Sequence, residues 1–397
     1  MPESSRTAKS IKNAKVALIF YFINLVLQFF SRKVFLDYLG AEVLGLNTTA
    51  QNLIGFLNLA ELGIGGAIAF TLYKPIYEKN TQVINEIVSL QGWLYRRVAY
   101  VVIAGACVLM CFFPLIFEKA EVPLWYTYVS FIVLLVSALL GYFVNYRQIV
   151  LTADQKEYKI TLNVQGFKVI KVLLQIAAIY YLSNGYVYWM ILELLMAVTT
   201  AVALDKLLKR EYPWLKTIIM QGGTLRQKYP EIISKTKQVF FHQIAAFVLF
   251  QTSPLIIYTY ASLTLVAVYG NYMLIITGVT LLMDALLRSI NAGVGSLVAE
   301  GDKERIKKVF WELTSLRLWL ASVVCFGIYK LGHSFIILWV GNDFLLEQSA
   351  FIVLIAITFI GLSRTNDTFL AAYGLFQDVW APVTEAVLNL GLSILLG

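Results

Sequence analysis

Ala14-Lys15-Val16-Ala17-Leu18-Ile19-Phe20-Tyr21-Phe22-Ile23-Asn24-Leu25-Val26-Leu27-Gln28-Phe29-Phe30 is an apolar run entered from a basic stretch and left through Ser31-Arg32-Lys33. A basic start followed by an apolar run has the outline of a signal peptide. This run is too long for a signal core, and no small-residue cleavage site follows it. It therefore reads as a retained membrane span. The rest of the chain repeats the pattern: 59% of the residues are hydrophobic and 14% charged, against about 45–50% and about 25% in a soluble domain. Apolar runs of about 20 residues, the length that crosses a hydrocarbon core, recur to the C-terminal residue. The bilayer is the solvent, and the fold class is all-α, polytopic.

Bounding each run by charges or turn residues predicts about eleven spans. Six lie near Ala14–Leu36, Leu44–Leu72, Leu94–Phe117, Leu124–Leu151, Ile160–Leu182 and Tyr186–Leu208. Five follow near Val239–Tyr260, Leu263–Leu297, Trp311–Leu331, Ser349–Tyr373 and from Val379 onward. The two longest runs exceed what a bilayer needs, so they extend beyond it or bend. Lys and Arg number twenty-three in one alternating set of connections. Four lie in the other: Lys119, Lys330, Arg32 and Lys33. That asymmetry places the N-terminus in the cytoplasm, with the inner membrane as the expected location. The net charge of +8 is thereby spent on orientation rather than gathered into a nucleic-acid-binding patch.

A polar connection from Lys209 to Lys237 splits the chain into an N-terminal lobe of six spans (1–210), a cytoplasmic linker (211–237) and a C-terminal lobe of five (238–397). The halves share a design. Gly45, Asn47, Gly63, Gly65 and Gly66 precede Glu78-Lys79-Asn80-Thr81 in one half. Gly270, Asn271, Gly293 and Gly295 precede Glu300-Gly301-Asp302-Lys303 in the other. Duplicated halves are a transporter habit. Equal halves would require a twelfth span, and a chain ending at Ser393-Ile394-Leu395-Leu396-Gly397 is expected to be a fragment lacking it.

Catalytic and metal signatures are missing from the sequence. It has no HExxH, Walker loop, DxD pair or Cys/His cluster, and it has two histidines, so no cofactor, metal site or enzyme activity is expected. Cys107, Cys111 and Cys325 read as small buried apolar residues in their spans. Gly63-Ile64-Gly65-Gly66 lies inside a span, not between a strand and a helix, and so signals a bend or close helix contact rather than a nucleotide loop. His242 reads as structural.

The charges within the spans carry the functional signal: Arg32, Glu61, Lys168, Lys171, Glu193, Asp284, Arg288, Arg317, Arg364, Asp367 and Glu385. A charge near a helix centre costs roughly 2.5–3.5 kcal/mol on insertion scales, so these are expected to face a hydrated interior. Lys168 lies about 15 Å into its span and Lys171 one turn on. Neither has an acidic residue within a turn of its own helix. Such a cationic face suits an anionic head group. Asp284 with Arg288, and Arg364 with Asp367, have spacings that equally allow local ion pairs. Glu61, Glu193, Asp284 and Glu385 are candidates either for a coupling proton or sodium ion or for structural pairing.

Arg32-Lys33-Val34-Phe35-Leu36-Asp37-Tyr38-Leu39-Gly40-Ala41-Glu42-Val43-Leu44-Gly45-Leu46-Asn47 resembles the first connection of bacterial polysaccharide repeat-unit flippases. Phe56-Leu57-Asn58-Leu59-Ala60-Glu61-Leu62-Gly63-Ile64-Gly65-Gly66-Ala67-Ile68, followed by Leu72-Tyr73-Lys74-Pro75-Ile76, resembles the second span of O-antigen and capsule transporters. These belong to the multidrug/oligosaccharidyl-lipid/polysaccharide exporter superfamily. The resemblance implies a MATE-like, two-lobed bundle with a cationic cavity. It also implies a cargo of undecaprenyl-pyrophosphate-linked oligosaccharide moved by alternating access, with membrane lipids and other polysaccharide-assembly proteins as partners. The motif positions are Arg32, Glu61, Gly63 and Gly65. The candidate cavity cations are Arg32, Lys168, Lys171, Arg288 and Arg364. Tyr142, Tyr146 and Trp189 are open to sugar stacking or to packing. A drug or cation antiporter of the same fold is the nearest alternative, and it favours acidic cavity groups. A membrane glycosyltransferase or polymerase would need a catalytic acidic pair or a large extramembrane loop.

Overall fold

The computed structural model describes residues 6–61, 64–118, 120–234, 236, 252–373 and 380–396. Among them every regular element is a helix. Among the described residues eight helices are long and apolar enough to cross a membrane. In chain order the elements are α1 (Arg6–Leu57), α2 (Ile64–Tyr77), α3 (Thr81–Cys111), α4 (Phe113–Ile116) and α5 (Leu124–Phe143). Then come α6 (Ile149–Ala153), α7 (Glu157–Tyr181), α8 (Gly185–Glu211), α9 (Gly222–Lys228) and α10 (Ser253–Tyr260). The last are α11 (Leu263–Glu300), α12 (Lys303–Trp339), α13 (Gln348–Ser363), α14 (Asn366–Ala372) and α15 (Trp380–Leu396).

The first two predicted spans run together as α1, whose two helical arms meet at Gly40. Its φ of 83° is a left-handed conformation that glycine adopts without steric cost, so the sequence supplies a sharp joint there. Five residues on, a Cβ on Gly45 would lie 2.0 Å from the Leu263 carbonyl oxygen. Only hydrogen fits at that crossing. The second predicted span does not run unbroken to Leu72. It passes through a 3-10 turn at Asn58–Glu61 before α2 begins, which puts the bend just before the glycines that signalled it. Gly63 itself lies outside the described residues.

Other boundaries move outward because charged helix ends need not stop at the edge of the hydrocarbon. α3 starts at Thr81, where the Asn80 side chain accepts from Val83 N at 3.1 Å. α12 starts at Lys303, capped by Asp302 accepting from Arg305 N at 3.1 Å. Satisfying an orphan amide in this way defines a helix start better than hydropathy does. The predicted span Leu124–Leu151 ends as a helix at Phe143 and continues as a 3-10 turn, Asn145–Gln148, into α6. The span Ser349–Tyr373 divides into α13 and α14. Cys325 is buried as expected, whereas Cys107 and Cys111 are exposed on α3.

By internal packing the chain forms two units, Met1–Leu263 with Glu385–Gly397, and Thr264–Thr384. In the first, α7 packs between α1 and α8, and α5 packs on α1, α3 and α8. The linker is strapped to α3 of the same unit. Lys216 N donates to Asn85 Oδ1 at 3.0 Å and Ile218 N to Ser89 Oγ at 2.9 Å. Lys228 Nζ and Tyr229 OH both donate to Glu86 Oε2 at 2.6 Å. In the second unit, α12 packs on α13, and Tyr272, His333 and Phe351 form an aromatic core, with His333 stacked on Phe351 at 4.3 Å. Val294, Leu297, Ile306, Leu313 and Phe369 form another core cluster.

Candidate functional site

α7 and α8 form an antiparallel hairpin through Leu182-Ser183-Asn184, and this hairpin builds the polar centre of the first unit. On its own helix Lys171 has no acidic neighbour; α8 supplies one. Lys171 Nζ lies 2.6 Å from Glu193 Oε1. The other carboxylate oxygen accepts from Gln175 Nε2 at 3.0 Å, and Gln175 also reaches the Trp189 carbonyl at 3.2 Å. Side-chain exposures of 22% for Lys171 and 12% for Glu193 mark a pair largely removed from solvent. Two charges so placed need each other and full hydrogen bonding to survive desolvation.

Lys168 occupies the same face one turn earlier. It lies eleven residues past Glu157, which is about 17 Å along the helix, close to mid-bilayer. No carboxylate among the described residues is within ion-pair distance of it, although Glu193 and Lys171 both act on it electrostatically. Lys168 and Lys171 line a cavity of about 300 Å³ between α5, α7 and α8. Ser137, Asn145, Gln148 and Thr200 add polar atoms to its wall. Asn145 Oδ1 is buried there without a hydrogen-bond partner among the described residues. Two ammonium groups thus line the chamber with amide and hydroxyl groups around them, and among the described residues the one carboxylate beside them is Glu193, which pairs with Lys171 from outside the wall of the chamber. It lacks one negative charge. It is also small, at the lower end of the roughly 300–1,000 Å³ that drug-sized ligands occupy.

The sequence pointed to Lys168, Lys171 and Glu193 but not to Asn145, Gln148, Gln175 or Thr200. Gln175 was the most findable, a polar residue four positions after Lys171 in an apolar run and so on the same helix face. Asn145 and Gln148 sit in the 3-10 turn after α5, whose place against α7 is a tertiary fact.

The bend at Asn58–Glu61 forms a second polar cluster. Glu61 is half-buried, and the Tyr95 and Tyr142 hydroxyls lie within hydrogen-bonding reach of its carboxylate. Tyr142 OH also donates to Asn58 Oδ1 at 2.9 Å. Tyr142 is buried against Tyr95, Trp189 stacks on Tyr186 at 5.8 Å, and Tyr146 OH bonds Thr217 Oγ1 at 2.9 Å. All three aromatic candidates are packed rather than presented to a cavity. Arg32 is half-buried on α1, and neither it nor Glu61 lines the chamber.

No protein-family model and no curated protein matches the chain. Its structure is similar to a solved one described as the inward-facing conformation of a multidrug resistance MATE family transporter of the MOP superfamily. The TM-score is 0.51, the identity 14%, and the match covers 96% of this chain and 87% of that one. The fold is MATE-type. At 14% identity the likeness fixes the arrangement of helices and leaves each residue to be argued from its own surroundings.

The second unit of this MATE-type fold holds Arg317, Arg364 and Asp367. Arg317 donates from Nη1 to the Arg364 carbonyl at 2.6 Å and from Nη2 to Thr368 Oγ1 at 3.0 Å. It thereby satisfies backbone freed at the break between α13 and α14, a structural task. Arg364 and Asp367 are exposed, as is Glu385, which belongs to the first unit. The side chains of Asp284 and Arg288, and all of His242, lie outside the described residues.

Proposed function

We propose that the protein is a transporter, and that its cargo is a lipid-linked oligosaccharide joined to its polyprenyl chain by pyrophosphate. The observation that carries this reading is the charge surplus of the α7–α8 chamber: Lys168 and Lys171 line it, and among the described residues Glu193, paired with Lys171, is the one carboxylate beside them. A pyrophosphate complements that surplus and accepts charge-assisted hydrogen bonds from both ammonium groups, with the Gln148 amide at hand for its remaining oxygens. A cationic drug would meet like charge, which sets the antiporter alternative behind. The chamber's size suits the charged group and not the sugars, whose hydroxyls need a wider wet path because each costs several kcal/mol in hydrocarbon.

The fold likeness supports alternating access in a polytopic membrane protein, and a transporter rather than an enzyme. The Lys and Arg asymmetry supports an inner-membrane location with a cytoplasmic N-terminus. The test is reconstitution in vesicles with a fluorescent lipid-linked oligosaccharide, reading its accessibility from the opposite leaflet. Wild-type protein is expected to expose it and Lys168→Ala to slow exposure by roughly 10- to 100-fold, the loss of one hydrogen bond to a charged group at about 1.5–3 kcal/mol. Equal rates for the two proteins would remove the chamber from the mechanism.

A further inference from the structure

A second cavity runs beside the chamber over the same half of α7. It has a volume of about 560 Å³, and its walls differ from those of the chamber. Leu162, Gly166, Phe167, Ile170 and Leu207 make it apolar, while Tyr158, Lys159 and Asn163 give it a polar edge toward the start of α7. From Tyr158 to Ile170 it extends along twelve residues, about 18 Å of helix. Gly166 deepens its floor: a Cβ there meets nothing within 4 Å, so the missing side chain serves no helix contact and leaves open space. Phe167 lines both cavities. It is thus common to a chamber short of one negative charge and an apolar trough.

We infer that the trough seats the isoprenoid chain of the lipid whose pyrophosphate enters the chamber, with Phe167 as the partition around which head and chain divide. This rests on the reading of the chamber as a pyrophosphate site. The junction is what commits the trough to this occupant. A molecule that bridges Phe167 must be anionic at one end and hydrocarbon from the next atoms on, which is the chemistry of a polyprenyl pyrophosphate. Placing the first isoprene units in a fixed groove would also hold the head in register beside Lys168 instead of leaving it to wander with the bulk lipid.

The test uses the full chain in nanodiscs with a polyprenyl pyrophosphate carrying a diazirine on an isoprene unit near the head, adducts being mapped by mass spectrometry. Adducts are expected at Leu162 and Ile170. Gly166→Trp, which fills open space, is expected to lower that labelling by roughly tenfold, as losing burial of about two methylene groups would. Binding of inorganic pyrophosphate is expected to survive in Gly166→Trp, which also shows that the variant is folded, and to be lost in Lys168→Ala. Unchanged labelling in Gly166→Trp overturns the inference. So does equal labelling by a diazirine phosphatidylglycerol that polyprenyl pyrophosphate does not displace, since the trough then holds ordinary membrane lipid. If inorganic pyrophosphate fails to bind wild-type protein while trough labelling persists and is still lost in Gly166→Trp, the chain site is supported and the chamber reading falls instead.

Discussion

The α7–α8 hairpin carries charge at its open end and at its middle, and the two places are balanced differently. At the open end Asp154, Asp205 and Glu211 share Arg147, Lys156, Lys159 and Lys209. Lys156 lies 2.7 Å from Asp154 and 3.9 Å from Glu211, Lys209 lies 2.7 Å from Asp205, and Arg147 and Lys159 complete the set on Asp205 and Glu211. Tyr212 OH adds a hydrogen bond to Asp154 at 2.8 Å. At the middle, Glu193 serves Lys171 and Gln175, and Lys168 is left over. Both places have one more cation than anion. At the open end, near the end of the predicted span, water and lipid head groups are at hand to settle the difference. On the proposed function, the same surplus at mid-depth is met by the anion of a ligand, and the end serves as an anchor.

The largest effect should come from breaking the mid-depth pair. Lys171→Ala leaves Glu193 charged and nearly buried, and is expected to cost about 3–5 kcal/mol of stability, read as a large drop in thermal midpoint in detergent. The double change Lys171→Met with Glu193→Met should restore most of it, because removing both charges also removes the desolvation cost. If the double variant were as unstable as Lys171→Ala, the pair would be valued for something other than mutual compensation.

An intermediate effect is expected at the anchor. Burial first, and then the Asp154 carboxylate, hold the Tyr212 hydroxyl well above the ordinary phenol range. A phenol in the unfolded chain ionises near pH ~10 while the folded one stays protonated. The stability this group contributes is therefore full below pH ~10 and is lost as pH rises beyond it. Tyr212→Phe should cost about 1 kcal/mol at neutral pH and should flatten the alkaline loss of stability. An alkaline profile identical to wild type would show that the hydroxyl is not clamped as described.

The smallest effect belongs to charge that water already solvates. Lys74 and Glu78 form an exposed i,i+4 pair at 3.8 Å, and Lys74→Ala should move stability by no more than about 0.3–0.5 kcal/mol. A shift as large as that of Lys171→Ala would erase the distinction between depth and surface on which the comparison stands.

Much of this was open to reading before any coordinates. The run Ala14–Phe30 already required a bilayer, and most predicted spans have a helix at their centre. Lys168 and Lys171 stood out because charge at mid-span is costly whatever the neighbours are. Less legible was the second span, where hydropathy runs smoothly through Asn58–Glu61 although the backbone bends. Hydropathy averages over side chains, whereas the bend carries contacts from other helices, with Asn58 Oδ1 accepting from Tyr142 OH at 2.9 Å.

The sequence by itself pointed to the bilayer as solvent, to the helical class and to the position of the chamber's lysines along their helix, because transfer free energies and the rise of an α-helix are local quantities summed along one chain. Only the tertiary structure decided that Lys171 meets Glu193 while Lys168 does not, that Asn145 and Gln148 close the wall, and that Phe167 lines both a polar and an apolar hollow. Those facts turn on distances between residues far apart in the chain, and Coulombic and hydrogen-bond energies depend on distance rather than on order in sequence.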